Sequence, residues 1–157
     1  MGRWSREELE EAFENYQKVA LEAFTSGDLN PWVDLFTEDC TYVEHYWGRF
    51  GGREAVRRWI TSAMGTYPAT EIKYYPIEWY VIDEEKGWVV SWVWNRMTDP
   101  GDGSIHQAGN VAILKYAGNG KWQYEEDVYN PKEFEKMIEG WEQAKERTGL
   151  GRGPGAH

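Results

Sequence analysis

The first 65 residues place apolar side chains at helical spacing in several stretches. The first stretch predicts a long helix, which Ser5 and Glu8 open as a capping box and Gly27 ends. A short helix is predicted from Asn30 to Phe36, because Pro31 occupies the favoured first helical position. A third helix follows Gly51-Gly52, and its apolar face consists of Val56, Trp59, Ile60, Ala63 and Met64.

The period of two that is typical of strands appears at Cys40–Trp47 and dominates from Thr70 onward. The predicted strands are Cys40–Trp47, Ile72–Asp83, Gly87–Met97, Ser104–Tyr116 and Trp122–Tyr129. Pro76 marks an edge or a bulge, and Asp99–Gly103 has the composition of a turn. A last helix begins at Asn130-Pro131. Helices followed by an antiparallel meander indicate the α+β class.

The chain of 157 residues has the length of one domain, and no repeat or low-complexity block interrupts residues 5–147. We therefore expect a single domain over residues 1–148. Residues 149–157 are rich in glycine and proline and are predicted to form a flexible tail.

Composition and charge argue against several classes of protein. The formal charge of −10 and the lack of a basic stripe speak against a nucleic-acid partner, and no apolar run is long enough to span a membrane. The single cysteine, Cys40, fits a reducing compartment, so the expected location is cytoplasmic. Three histidines and one cysteine offer few metal ligands, and no nucleotide-binding glycine motif is present, so we expect neither a metal nor a cofactor.

Aromatic residues are unusually frequent, with 10 Trp, 10 Tyr and 5 Phe. This number predicts either a very bulky core or a cavity lined with rings. The row Trp88, Trp92 and Trp94 has space beside it, because the neighbouring strand carries Ala108 and Ala112. That arrangement favours the cavity, although packing in the core or beneath a partner chain is an alternative for the row.

Four junctions of the chain form a recognisable series: Gly27-Asp28, Phe36–Tyr42, Gly52–Val56 and Glu126–Pro131. Their order and spacing resemble the NTF2-like superfamily in its SnoaL-like branch, over roughly Arg6 to Glu139. The resemblance implies a cone, in which a curved, mostly antiparallel sheet wraps around N-terminal helices and encloses an apolar cavity. It also implies a homodimer that pairs through the face of the sheet. The fold alone does not define an activity.

Two groups of enzymes with this fold serve as references. The general base of ketosteroid isomerases matches Glu44, but their oxyanion-hole positions match Ala20 and Ala112, which speaks against that reaction. The last-strand aspartate of limonene-epoxide hydrolases matches Asp127, and their first-strand tyrosine matches Tyr42. Their arginine–aspartate pair has no counterpart at the matching strand, so the complete hydrolase triad is absent.

The candidate catalytic residues are Asp127, Glu44 and His106, which the strand period places on cavity faces. Burial against rings raises the pKa of a carboxyl group toward neutrality, where it transfers protons efficiently. The residues expected to bind substrate are Tyr16, Tyr42, Trp59, Trp92, Trp94, Asn110 and Tyr129. The structural alternatives are a helix cap for Asp127, a solvated rim position for Glu44 and an exposed loop end for His106.

These residues lead to the expectation of a small-molecule enzyme acting on an apolar, oxygenated compound. Asp127 is expected to act as a base next to a carbonyl group, with isomerisation, cyclisation or dehydration as the outcome. One alternative is a non-catalytic module that binds an apolar ligand in the same cavity. Another is an interaction protein that uses its sheet to bind a partner chain.

Overall fold

The computed structural model describes residues 2–151 of the chain. Its helices are α1 (Arg6–Ser26), α2 (Asn30–Val33), α3 (Arg53–Met64) and α4 (Pro131–Gly151), and a short 3₁₀ turn covers Ala69–Glu71. Its strands are β1 (Phe36–Glu44), β2 (Gly48–Gly51), β3 (Ile72–Tyr74), β4 (Ile77–Asp83), β5 (Trp88–Met97), β6 (Gln107–Gly118) and β7 (Lys121–Val128). The predicted α+β class is confirmed.

The seven strands form one curved, open sheet in the order β2-β1-β7-β6-β5-β3, and β4 pairs with β5 beside β3. The β1–β7 pair is parallel, whereas all the other pairs are antiparallel. The last strand in sequence therefore lies in the middle of the sheet, between the first strand and β6. The sheet is mixed because β7, which returns beside β1 after a long connection, runs parallel to it.

Local chemistry explains the boundaries of α1. The Ser5 side chain accepts a hydrogen bond from the Glu8 backbone N–H at 3.1 Å, and Gly27 ends the helix with a φ of 88°. That left-handed conformation favours glycine, which has no Cβ. The apolar face of α1, with Leu9 and Phe13 fully buried, packs into the concave side of the sheet.

Several boundaries differ from the predicted ones. Pro76 falls in the gap between β3 and β4, because a proline cannot donate to the ladder there. β2 was not predicted, since its four residues are too short to show a period. Helix α4 includes residues 149–151 of the expected tail, and residues 152–157 lie outside the described part of the chain.

None of the helices within residues 2–151 is long and apolar enough to cross a membrane.

Candidate active site

The concave face of the sheet and helices α1 and α3 surround a cavity of about 460 Å³. Most of its wall is apolar and aromatic, and the ring-bearing residues include Phe24, Trp32, Tyr42, Trp59, Tyr75 and Phe134. Its acidic and amide groups are Gln17, Glu44, Asn95, Asn110, Glu125, Asp127 and Glu135. Among the described residues that line the cavity there is no lysine, arginine or histidine.

Two carboxyl groups of β7 share one polar patch of this cavity. Glu125 and Asp127 lie two residues apart, so the strand period directs both side chains to the same face. Glu125 is only 3% exposed, and Asp127 is partly buried. The phenol of Tyr16 donates to Glu125 Oε1 at 2.5 Å, and the phenol of Tyr42 lies 2.8 Å from Glu125 Oε2.

The hydrogen-bond inventory requires a proton on this pair of carboxyl groups. Tyr42 also contacts Asp127 Oδ2, yet a phenol has a single hydrogen to donate. The phenol can therefore donate to only one of the two carboxyl groups at a time, and its other contact is favourable when that group carries a hydrogen and donates it to the phenol oxygen. With the hydrogen on Asp127, Glu125 accepts from two phenols as a carboxylate.

The electrostatics agree with that assignment. Burial raises the pKa of Asp127 well above its ordinary value, and the neighbouring charge of Glu125 raises it further. Burial also raises the pKa of Glu125, but hydrogen bonds from Tyr16 and Tyr42 oppose the increase by stabilising the carboxylate. Desolvation raises the pKa of both phenols, so they remain protonated donors.

A pair of amides fixes the other side of Asp127. The Asn110 amide donates to Asp127 Oδ1 at 3.4 Å, and Asn95 donates to Asn110 Oδ1 at 2.6 Å. Asn95 also donates to the Ala108 carbonyl at 3.2 Å. This chain leaves the Asn110 amide with its N–H groups toward Asp127 and orients that carboxyl group within the cavity.

Glu44 reaches the cavity but its bonds are mostly structural. One carboxylate oxygen accepts from the backbone N–H groups of Tyr46 at 2.6 Å and Trp47 at 3.1 Å. The other accepts from the Tyr129 phenol at 2.6 Å. Glu44 is 8% exposed, so the alternative of a solvated rim carboxylate does not hold, and the side chain holds the turn between β1 and β2. Its predicted catalytic role stays untested.

The structure places Trp92 and Trp94 away from the cavity, so their assignment to its wall is wrong. The β5 residues that line it are Ser91, Val93 and Asn95, which alternate with the tryptophans. Trp92 instead lies against the outer side of β6, where a Cβ on Gly109 would come within 2.1 Å of its ring. The period was assigned correctly, but the face with the tryptophans was taken as the inward one, whereas the inward face is the less hydrophobic one with Ser91 and Asn95.

His106 is likewise not part of the cavity. It precedes β6, and its ring nitrogen Nε2 lies 2.8 Å from the Ser104 hydroxyl. Its other nitrogen faces helix α4, where a Cβ on Gly140 would approach within 3.2 Å. The structure therefore does not bring His106 together with Asp127, because the chain leaves the cavity face before β6 begins.

The remaining predicted binding residues do line the cavity: Tyr16, Tyr42, Trp59, Asn110 and Tyr129. Sequence reasoning missed Glu125, although the period of two placed it on the same face as Asp127. It also missed Ser91 and Asn95, for which the signal was a row of small and polar residues opposite the tryptophans. Within residues 2–151, no group of three or more His, Cys, Asp or Glu side chains has an arrangement suited to a metal ion.

Comparison with known proteins assigns the chain to a family. The sequence model of the SnoaL-like domain matches residues 19–125, which is more than half of the chain. The protein therefore belongs to the SnoaL-like domain family of the NTF2-like superfamily. The match ends at Glu125, so Asp127 lies just beyond it. No curated protein matches the chain significantly in sequence.

Solved structures with this fold include enzymes. SalBIII is described as an epoxide hydrolase/cyclase-like enzyme in pyran ring formation of salinomycin. It is 16% identical in sequence and superposes with a TM-score of 0.63, and the alignment covers 82% of this chain and 95% of SalBIII. An LEH-like epoxide hydrolase of M. tuberculosis is 13% identical with a TM-score of 0.63, covering 87% and 91%. TerC, co-crystallised with polyporic acid, is 14% identical with a TM-score of 0.59, covering 82% and 98%. These similarities concern the fold.

Proposed function

We propose that this protein is a small-molecule enzyme that protonates an oxygen of an apolar compound, with Asp127 as the general acid. The observation that carries the proposal is the count of hydrogens around Glu125 and Asp127, which leaves a transferable proton facing an apolar cavity. The family and its epoxide hydrolase and cyclase-like structural neighbours support a small-molecule enzyme.

The apolar wall makes that proton reactive. A carboxylic acid kept neutral by burial donates more readily to a bound oxygen than one exposed to water, because no solvent competes for the hydrogen bond. When the proton leaves, the new charge on Asp127 is stabilised by the Asn110 amide and the Tyr42 phenol. The sequence predicted a base at this position, whereas the protonated resting state favours an acid.

The proposed reaction returns Asp127 to its protonated state. The O–H bond of Asp127 breaks, and its proton joins an ether, hydroxyl or carbonyl oxygen of the substrate. The C–O bond then cleaves or the carbonyl is activated, and the electron pair stays on oxygen. The Asp127 carboxylate later takes a proton from carbon or from an attacking hydroxyl group, which restores the acid. Isomerisation, cyclisation and dehydration are all outcomes of this cycle.

The test compares carboxyl variants on a panel of apolar epoxides and β-hydroxyketones. Asp127→Asn preserves the size and most hydrogen bonds but supplies no proton, so turnover should fall about a hundredfold or more. Glu126→Gln is the matched control. Glu126 is the adjacent carboxylate, and its Oε2 lies 2.7 Å from His45 Nε2, outside the cavity. Its turnover should stay near that of the unaltered protein.

Turnover that survives Asp127→Asn would overturn the assignment of the acid. Tight binding of panel compounds without any turnover by the unaltered protein would instead support a non-catalytic module that binds an apolar ligand. Product analysis by mass spectrometry distinguishes ring opening, cyclisation and loss of water.

A further inference from the structure

Ser91 is a polar residue of the cavity wall whose hydroxyl has no partner in the fold. The residue as a whole is 1% exposed and lines the cavity, and none of the side-chain hydrogen bonds among the described residues includes it. Its oxygen is not one of the fully enclosed, unpartnered polar atoms, so solvent in the cavity reaches the hydroxyl. A hydroxyl that only solvent pairs is available to an oxygen of a ligand. On β5 it is flanked along the cavity face by Val89 and Val93, neither of which offers a side-chain acceptor.

The strand register gives its position relative to the proposed acid. Ser91 lies directly opposite Ala112 on β6, and Ala112 lies directly opposite Asp127 on β7. The two polar side chains thus stand on one row across the sheet, two strands apart, or roughly 9–10 Å between their backbones. Ala112 between them carries only a methyl group. The row therefore has a polar side chain at each end and a short apolar side chain in the middle, which leaves space above it.

We propose that Ser91 is a substrate-binding residue that hydrogen-bonds a second oxygen of the ligand while the first oxygen contacts Asp127. The ligand class is a flat ring compound with oxygens at opposite ends of a one- or two-ring skeleton that rests over Ala112. The proposal depends on the proposed function in that it takes Asp127 as the contact of the reacting oxygen. The hydroxyl of Ser91 serves binding and orientation and exchanges no proton in the reaction.

Desolvation explains why the second oxygen matters. Water in the open cavity can solvate the Ser91 hydroxyl, but a ring compound that covers Ala112 displaces that water. A ligand with a second oxygen restores the hydrogen bond, whereas one without it leaves the hydroxyl buried and unpaired. Ser91 therefore discriminates against a mono-oxygenated analogue of the same shape.

The experiment uses two inert, rigid probes, naphthalene-2,6-diol and 2-naphthol, which differ by a single hydroxyl group. Calorimetric titration of the unaltered protein should give about fivefold tighter binding of the diol, the worth of one hydrogen bond. Ser91→Ala should abolish that difference by weakening the diol, with 2-naphthol unchanged or bound more tightly. The same variant should unfold at nearly the same temperature, because the Ser91 hydroxyl forms no hydrogen bond within the fold and is solvated in the free protein.

Thr37→Val is the matched control, since its buried hydroxyl also lacks a partner but does not line the cavity. It should leave both affinities unchanged. Equal affinities of the unaltered protein for the two probes, no binding of the diol, or an equal effect of Ser91→Ala on both probes would overturn the proposal. Asp127→Ala separates the two proposals: loss of affinity for both probes keeps Asp127 in the ligand site even if Ser91 fails, whereas unchanged affinities for both remove it.

Discussion

Asp127 and Glu125 have the same functional group but different surroundings. Two phenols reach Glu125, whereas Asp127 shares one of them and receives an amide N–H at 3.4 Å. Donors stabilise a carboxylate and lower its pKa, while a neighbouring negative charge raises it. The difference in donors therefore separates an acid from a carboxylate within one buried pair, which is the arrangement general acid catalysis needs.

The two neighbours of Asp127 should shift its pKa in opposite directions. Glu125→Gln removes the negative charge that raises the pKa of Asp127, so the pKa should fall. Tyr42→Phe removes the phenol that donates to Asp127 once that carboxyl group ionises, and this hydrogen bond lowers the pKa, so the pKa should rise. Carboxyl ¹³C NMR titration of Asp127 measures both values without a substrate. In the proposed reaction the protonated form of Asp127 is the active one, so the alkaline limb of the rate profile should move with the pKa in each variant.

Glu126→Gln provides the comparison for that titration, because it neutralises the next carboxylate on the opposite face of β7. Its effect on the pKa of Asp127 should be much smaller than that of Glu125→Gln. Movement of the pKa in the same direction in Glu125→Gln and Tyr42→Phe would contradict the assignment of a proton to Asp127.

At this scale the sequence located Asp127, Tyr42 and Asn110 correctly on the cavity face, because strand parity fixes direction once a face is chosen. It did not reveal that Tyr16 and Glu125 meet, because they are 109 positions apart and belong to elements joined only by the tertiary fold. Pairing of titratable groups depends on distances of a few ångströms, which no periodicity contains.

The turn between β1 and β2 is an element whose shape depends on one side chain. Glu44 accepts two of the turn's backbone N–H groups and the Tyr129 phenol. The turn in return carries Tyr46 and Trp47, which are 64% and 56% exposed and still line the cavity. The aromatic pair, with ring centroids 5.2 Å apart, forms the outer edge of the ligand site.

Glu44→Ala should loosen this turn without unfolding the protein. Losing the two acceptor bonds should speed amide hydrogen exchange of Tyr46 and Trp47 about tenfold, and binding of 2-naphthol should weaken by a smaller factor. Exchange measured by NMR is the readout, and Glu126→Ala serves as the control on the adjacent strand. Unchanged exchange at both amides would show that the backbone holds the turn alone.

The predictions for elements succeeded where local chemistry dominates and failed where it does not. The Ser5 cap, the Gly27 end and the interruption at Pro76 follow from single residues and their neighbours. The inward face of β5 does not follow from local chemistry. The polar Ser91 faces inward and the apolar Trp92 faces outward, whereas apolar residues usually face inward. A cavity reverses the normal rule, since its lining must leave space and carry polar groups.

The outer face of the sheet carries exposed apolar side chains that nothing within residues 2–151 covers. Trp79 and Val81 on β4 are exposed, and both lie opposite outward residues of β5. On the same face Lys115 stands over the rings of Trp88 and Tyr124, within 4.4 and 4.0 Å of their centroids. Large exposed apolar patches usually mark a protein interface.

We propose that a second copy of this chain covers this face, as the family resemblance implies. The face is suited to self-association because apolar residues lie beside both a positive Lys115 and a negative Glu126, which can pair across a two-fold axis. Sedimentation equilibrium should show a dimer at micromolar concentration, and Val81→Lys should shift it to monomer while leaving ligand binding intact. Leu21→Lys, an exposed site on α1, is the control.

The central position of β7 has a consequence for how the chain acquires its site. Residues 121–128 leave the ribosome after every other strand, yet they must insert between β1 and β6 to complete the sheet. Such non-local pairing is slow to form, and until it does the edges of β1 and β6 stay open. Because Glu125 and Asp127 both belong to β7, the paired carboxyl groups of the cavity are absent until the sheet closes around that strand.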